Sequence, residues 1–236
     1  MQAFDNVEDT MLHRRFLGLA LCSLAIVAAC SDDDDDDNNS LVRVVNASNT
    51  AIDVASGTTI GTDNSNIGFG AGSTCLTTNS VDPDLNVTPA GTTNAYSSFA
   101  LDLHAGQHYV TVAYPGFSGA TAFSDIATGA TPAVGQAGLR VFNAAAGSAT
   151  YDVYVTAPGT AALGTAGATG IGFRTASGYI SVPPGTSQVR LTNAGTQTVL
   201  INAGSLAFTA GQNAVLVIAA PGPGTTALRT FLAAGC

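Results

Sequence analysis

The chain has 236 residues, with 16 Asp and Glu against 7 Lys and Arg and a formal net charge of −9. The arginines form no basic patch on the body of the chain, which argues against nucleic acid as a partner. Trp is absent, which argues against a stacking platform for sugars.

The first element in chain order is Arg14 to Cys30, reading RRFLGLALCSLAIVAAC. Its apolar run, Phe16 to Ala29, is short for a bilayer span, which needs roughly 20 residues, but suits the core of an export signal. Ala28 and Ala29 put small residues before the cysteine. The segment resembles a bacterial lipoprotein signal peptide with its lipobox. The resemblance implies a signal peptide over residues 1–29 and makes Cys30 the lipidated first residue of the mature protein, with an ordinary transmembrane anchor as the alternative. Met11, followed by Leu-His-Arg-Arg, is a candidate true start. Ser31 after the cysteine resembles the pattern that permits transfer to an outer membrane, so a cell-envelope address is expected, on the periplasmic face or the cell surface.

Six aspartates follow, Asp32 to Asp37. A run of like charges repels itself and stays extended, so residues 30–40 read as a disordered acidic tether. The run also resembles surface-export signals of some lipoproteins. From Leu41 onward only seven Asp face five Arg, so the acidity belongs to the tether and the body is nearly neutral.

The body reads as all-β. Short apolar runs such as Leu139 to Phe142, Tyr151 to Val155 and Val189 to Leu191 alternate with turn signals at Ala105-Gly106, Pro183-Pro184-Gly185, Ala210-Gly211 and Pro221 to Gly224. Val215 to Ala220 is continuously apolar, as in a strand covered on both faces. The body also repeats itself. Val42 to Ala47 matches Leu139 to Ala144, Ile52-Asp53-Val54 matches Tyr151-Asp152-Val153, and Ile67-Gly68-Phe69 matches Ile171-Gly172-Phe173. Leu101 to Gln107 matches Leu206 to Gln212, and the offset grows from 97 to 105 without a change of order. Two tandem Ig-like β-sandwiches of about 90–100 residues are therefore expected. They occupy 41–126 and 138–236, with a linker over 127–137.

Leu139-Arg140-Val141-Phe142-Asn143-Ala144, then Tyr151 to Val155, Ile171-Gly172-Phe173, Tyr179 and Val182-Pro183-Pro184-Gly185, resemble the DUF4397 family. The first unit is similar but more diverged, with Cys75 where the second has Tyr179. The resemblance implies a β-sandwich of cell-envelope proteins, often in tandem, and carries no chemistry.

Four constellations bear on function. Cys75 and Cys236 form an even pair once Cys30 is given to lipid and Cys22 to the signal. A bond between them would close about 160 residues and contribute roughly 4–5 kcal/mol; two free thiols is the alternative. Arg43 with Asp53, and Arg140 with Asp152, recur in both units and are expected as structural ion pairs across an antiparallel strand pair, each contributing about 0.2–1 kcal/mol. His104 and His108 flank a turn without further ligands at metal-site spacing, and Asp63, Asp82, Asp84, Asn86 and Asp125 are scattered oxygens, so no metal or other cofactor is expected. Gly68 to Gly72 lacks the Lys and helix of a phosphate loop. The expectation is a lipid-anchored envelope protein with a structural or interaction role and no catalysis. A binding module for an envelope or extracellular polysaccharide or protein is the alternative, and a hydrolase using Asp residues the second.

Overall fold

The computed structural model describes residues 38–56, 59–60, 64–96, 99–116 and 120–236. Residues 1–29, Cys30, the whole acidic run Asp32 to Asp37 and Asp63 lie outside them. Among the described residues there is no α-helix, and the fold is all-β. The strands of the first half are β1 (Asn39–Asn46), β2 (Ile52–Ser56), β3 (Thr59–Ile60), β4 (Leu76–Asn79), β5 (Leu85–Pro89), β6 (His108–Pro115) and β7 (Thr121–Ala127). Those of the second are β8 (Ala137–Asn143), β9 (Tyr151–Thr156), β10 (Ala168–Ile171), β11 (Ile180–Val182), β12 (Gly185–Asn193), β13 (Val199–Phe208), β14 (Asn213–Ala219) and β15 (Arg229–Ala234).

They form four sheets, ordered β3-β2-β5, β4-β1-β6-β7, β11-β8-β14-β15 and β10-β9-β12-β13. The two halves share one plan. In each, the first strand runs parallel to the penultimate strand of its sheet, β1 to β6 and β8 to β14, and antiparallel to a short edge strand, β4 or β11. The second half adds β13 at the edge of its outer sheet.

Side-chain alternation explains how the layers stack. Along β14, Leu216 and Ile218 enter a core with Val153 of β9 and Leu191 of β12, while Val215, Val217 and Ala219 point the opposite way. Along β6, Tyr109 and Ala113 pack with Val54 and Val87, while Val110, Val112 and Tyr114 point away. The two outward sets meet. Val110, Val112, Tyr114 and Ile126 of the first half pack on Phe142, Val215, Val217 and Ala233 of the second as one buried cluster. The halves are thus two sandwiches sharing a third core, and β6, β8 and β14 have apolar residues on both faces because both faces are covered.

Aromatic rings close this seam. Tyr114 meets Phe142 edge to face at 5.6 Å between centroids and Phe173 at 5.9 Å, and Phe69 meets Phe231 at 5.4 Å. Gly72 bridges to Val45, and a Cβ there would lie 2.8 Å from Val45 Cγ1, so only glycine lets the loop close over the seam.

A shared core couples the halves in unfolding. The full chain is expected to melt in one calorimetric transition, and Phe142→Ala to lower its stability by about 3–5 kcal/mol without splitting the transition. Two transitions, only one of them moved by the substitution, would contradict a shared core.

Candidate functional site

Of the polar groups singled out in the sequence, the arginines reach the seam and the aspartates cap loops within their own halves, all in roles other than ion pairs. β1 and β2 belong to different sheets, as do β8 and β9, so neither Arg–Asp couple faces across a ladder. The expected pairs Arg43–Asp53 and Arg140–Asp152 are corrected on this ground. The cause is local. Asn46 sends its Nδ2 to the carbonyls of Thr50 and Ile67 and accepts from the Ser48 N–H on Oδ1. Asn143 repeats this with Ala149, Ile171 and Ala145. These contacts turn the chain from one sheet to the opposite one instead of into a hairpin.

Each aspartate caps two loops. Asp53 accepts from the backbone N–H of Asn66 at 2.6 Å and Gly91 at 2.9 Å, and Asp152 from Gly170 at 2.9 Å and Gly195 at 2.8 Å. Both carboxylates are buried, and these charge-assisted bonds replace the water they lose. All four donors have positive φ, which aims successive N–H groups at the carboxylate.

Each arginine instead crosses the seam. Alternation puts Arg43 on the face of Val45 and Arg140 on the face of Phe142, toward the other half. Arg43 Nη1 donates to the Ala234 carbonyl at 3.3 Å, at the end of β15. Arg140 Nη1 donates to the Ala127 carbonyl at 2.9 Å, at the end of β7, and its Nε to Ser177 O at 2.9 Å. Ala127 and Ala234 lie opposite Tyr109 and Ala214, so the two clasps stand at corresponding places in the two inner sheets.

Beside each clasp stands a second fastening. Cys75 and Cys236 are joined in a disulfide with Cα atoms 5.8 Å apart. Closing 161 residues of separation, it contributes roughly 5 kcal/mol through the unfolded state. Tyr179, at the matching place, donates its hydroxyl to Ala127 O at 2.8 Å and lies under the Arg140 guanidinium, 5.3 Å from ring centre to Cζ. Ser73 and Ser177 accept from the backbone N–H of Val44 and Val141 beneath the clasps. The sequence reading missed this serine pair, which appears when the Ile-Gly-Phe match is extended by four residues.

The remaining candidates are dispersed. His104 is exposed, and its backbone N–H donates to the Tyr109 hydroxyl. Asp84 accepts from Thr78 and Ser56 hydroxyls, tying β4 to β2, and Asp82 is exposed. Among the described residues no three His, Cys, Asp or Glu converge on a possible metal position.

One open cleft of about 350 Å³ spans both halves. Asp102, Asp125 and Phe123 come from the first, Arg174, Phe142 and Ala176 from the second. Asp125 accepts from the Thr111 hydroxyl at 2.5 Å and the Asp102 N–H at 2.9 Å. Burial holds its carboxyl above the ordinary 3.8, with the Asp102 charge adding to the rise and the two hydrogen bonds opposing it. Arg174 has φ 62, a left-handed conformation costing about 1–2 kcal/mol for a side chain with a Cβ; the matching residue in the first half is Gly70, at φ 76.

A carboxyl raised in the folded state binds its proton more tightly there than in the unfolded chain. Its stabilising contribution is full below 3.8 and is lost as pH rises through the folded value. Asp125→Asn removes that dependence. The stability difference, variant minus wild type, is expected to be most favourable near neutral pH and to fall on acidification, as read by urea melts across pH 3–7. A difference that is flat with pH would contradict the raised carboxyl.

No curated protein matches the chain. Residues 137–233, which run from β8 into β15, match the family described as Domain of unknown function (DUF4397).

Proposed function

We propose that this chain is a lipid-anchored cell-envelope protein whose body acts structurally or as an interaction module. The observation that carries the reading is the segment Arg14 to Cys30, with an apolar run too short to span a bilayer and small residues before the cysteine. The Cys75–Cys236 bond supports it, since disulfides persist in oxidising compartments outside the cytosol. We take the first half, through β7, as a second and diverged copy of the DUF4397 domain. Its strand order and its Asn46, Asp53 and Ser73 contacts repeat those of Asn143, Asp152 and Ser177. The anchor is an outer-membrane one, with the body at the periplasmic face or on the cell surface and the aspartates as spacer.

Metabolic labelling with a fatty-acid analogue tests the anchor. The wild-type chain is expected to take up label and Cys30→Ser to lose it; label kept by the variant would sink the assignment. Protease treatment of intact cells, repeated with Asp32 to Asp37 replaced by Asn, then reads the side of the membrane. Exposure lost only in the Asn chain assigns a sorting role to the run.

A second reading, a polysaccharide- or protein-binding module, is favoured by the cleft that joins the halves. An arginine held in a left-handed conformation there, where the other half has glycine, is backbone strain at a place of mixed charge. Arg174→Gly is expected to raise or preserve stability while weakening glycan-array binding by the full chain. Undiminished binding would remove the cleft from consideration. The hydrolase reading is the weakest, because both oxygens of Asp125 already accept protein hydrogen bonds.

A further inference from the structure

The two halves fasten their matching edge strands differently, and the difference points to chemistry at one of them. In the second half, Tyr179 and Arg140 hold Ala127 without sulfur. In the first, Arg43 holds Ala234 in the same way, yet a disulfide is added beside it. The Arg clasp is common to both, so the covalent bond is not what the clasp geometry requires.

Three features make that bond reactive. Cys75 is exposed to solvent. Arg43 Nη2 lies 3.4 Å from Cys75 Sγ, with the guanidinium held in place by its bond to Ala234 O. A cation at this distance stabilises a thiolate and makes that sulfur the better leaving group. On the other side, Cys236 borders an open cleft of about 260 Å³, walled by His108, Thr128, Gln212 and Asn213, which gives an incoming thiol a path to it. Arg43 lies against Cys75 Sγ, His108 lines the same cleft as Cys236, and the α-carboxylate of Cys236 is the other charge near the sulfur pair.

We propose that Cys75–Cys236 is a site of thiol–disulfide exchange with an external thiol or dithiol, attacked at Cys236. The reductant's thiolate forms a bond to Cys236 Sγ as the Cys75–Cys236 bond breaks. The electron pair of that bond goes to Cys75 Sγ, which leaves as a thiolate beside Arg43. A second reductant thiol then attacks the mixed disulfide, releasing Cys236 and the oxidised reductant. Two electrons pass to the protein, and two protons complete the thiols. β15 keeps its pairing with β14 and its Arg43 contact, so the seam passes from a covalent fastening to the non-covalent kind found at Tyr179.

The test uses the full chain in detergent and glutathione as the probe. After brief exposure of the oxidised protein, acid quench and alkylation, peptide mass mapping is expected to find glutathione on Cys236 and the alkyl group on Cys75. Glutathione on Cys75 overturns the proposal. In the fully reduced chain, the pH midpoint of Cys75 alkylation is expected about one unit below the ordinary ~8.5, returning to it in urea. A folded midpoint at or above the urea value also overturns it, with no variant needed. Arg43→Gln is expected to restore the ordinary midpoint and slow exchange about threefold or more, and Arg43→Lys to recover most of the effect.

Discussion

Everything in this molecule depends on the third core, where the inner sheet of one half lies on the inner sheet of the other. An antiparallel sandwich normally buries one face of each sheet and wets the other. Here β6 and β14 carry apolar residues on successive positions, so Val110, Val112 and Tyr114 of one and Val215, Val217 and Ala219 of the other would be exposed if each half stood alone. Burying those bands against each other fixes how the halves stack, brings Arg43 and Arg140 to the opposite half's edge strand, and leaves clefts where the two sheets part.

The same constraint decides where charges can go. The two inner sheets carry Arg43, Asp125, Arg140 and Arg229 although both of their faces are packed against other sheets. The arginines that occur in them are spent on carbonyls at strand ends, and the buried aspartates on loop amides. A buried ion pair would have carried the desolvation cost of two charges for one attraction. Dividing the charges among backbone groups gives each one several partners, although Arg43 Nε and Arg190 Nε are left without one, and also fixes loops that lack regular pairing. Arg190 follows the pattern, reaching the carbonyls of Ala161 and Ala162 and the Thr156 hydroxyl from within β12.

Much of this was legible in the sequence, and the failures have physical causes. The all-β class follows from short apolar runs that alternate with turn signals. Val215 to Ala220 announced a strand covered on both faces, and Tyr109 to Tyr114 carried the same signal less plainly because Thr111 interrupts it. The expected Arg–Asp pairs fail because the next strand in sequence is not the next in the sheet. The Asn-Ala step shared by the two halves was read as part of the repeat when it was also the instruction to change sheets, given by Asn46 and Asn143 reaching over to Ile67 and Ile171. Side-chain bonds that bridge elements 20 to 30 residues apart leave no periodic trace, so pattern alone does not find them.

A comparison of the halves separates what the fold needs from what it does not. The groups that set the sheet crossing and close the loops are the same residue types in both: Asn46 and Asn143, Asp53 and Asp152, Ser73 and Ser177, Gly91 and Gly195. Besides the added strand β13, the halves differ at the seam and its mouths. Cys75 stands where the other half has Tyr179, Gly70 where it has Arg174, and Asp125 of β7 occupies the register position that Leu232 holds in β15. Each of these changes adds a chemical capacity, a sulfur, a guanidinium or a carboxyl, to a position where the other half shows that the sandwich needs none. Residues that the scaffold can spare, gathered where two halves meet, are the ones whose presence calls for a reason beyond folding.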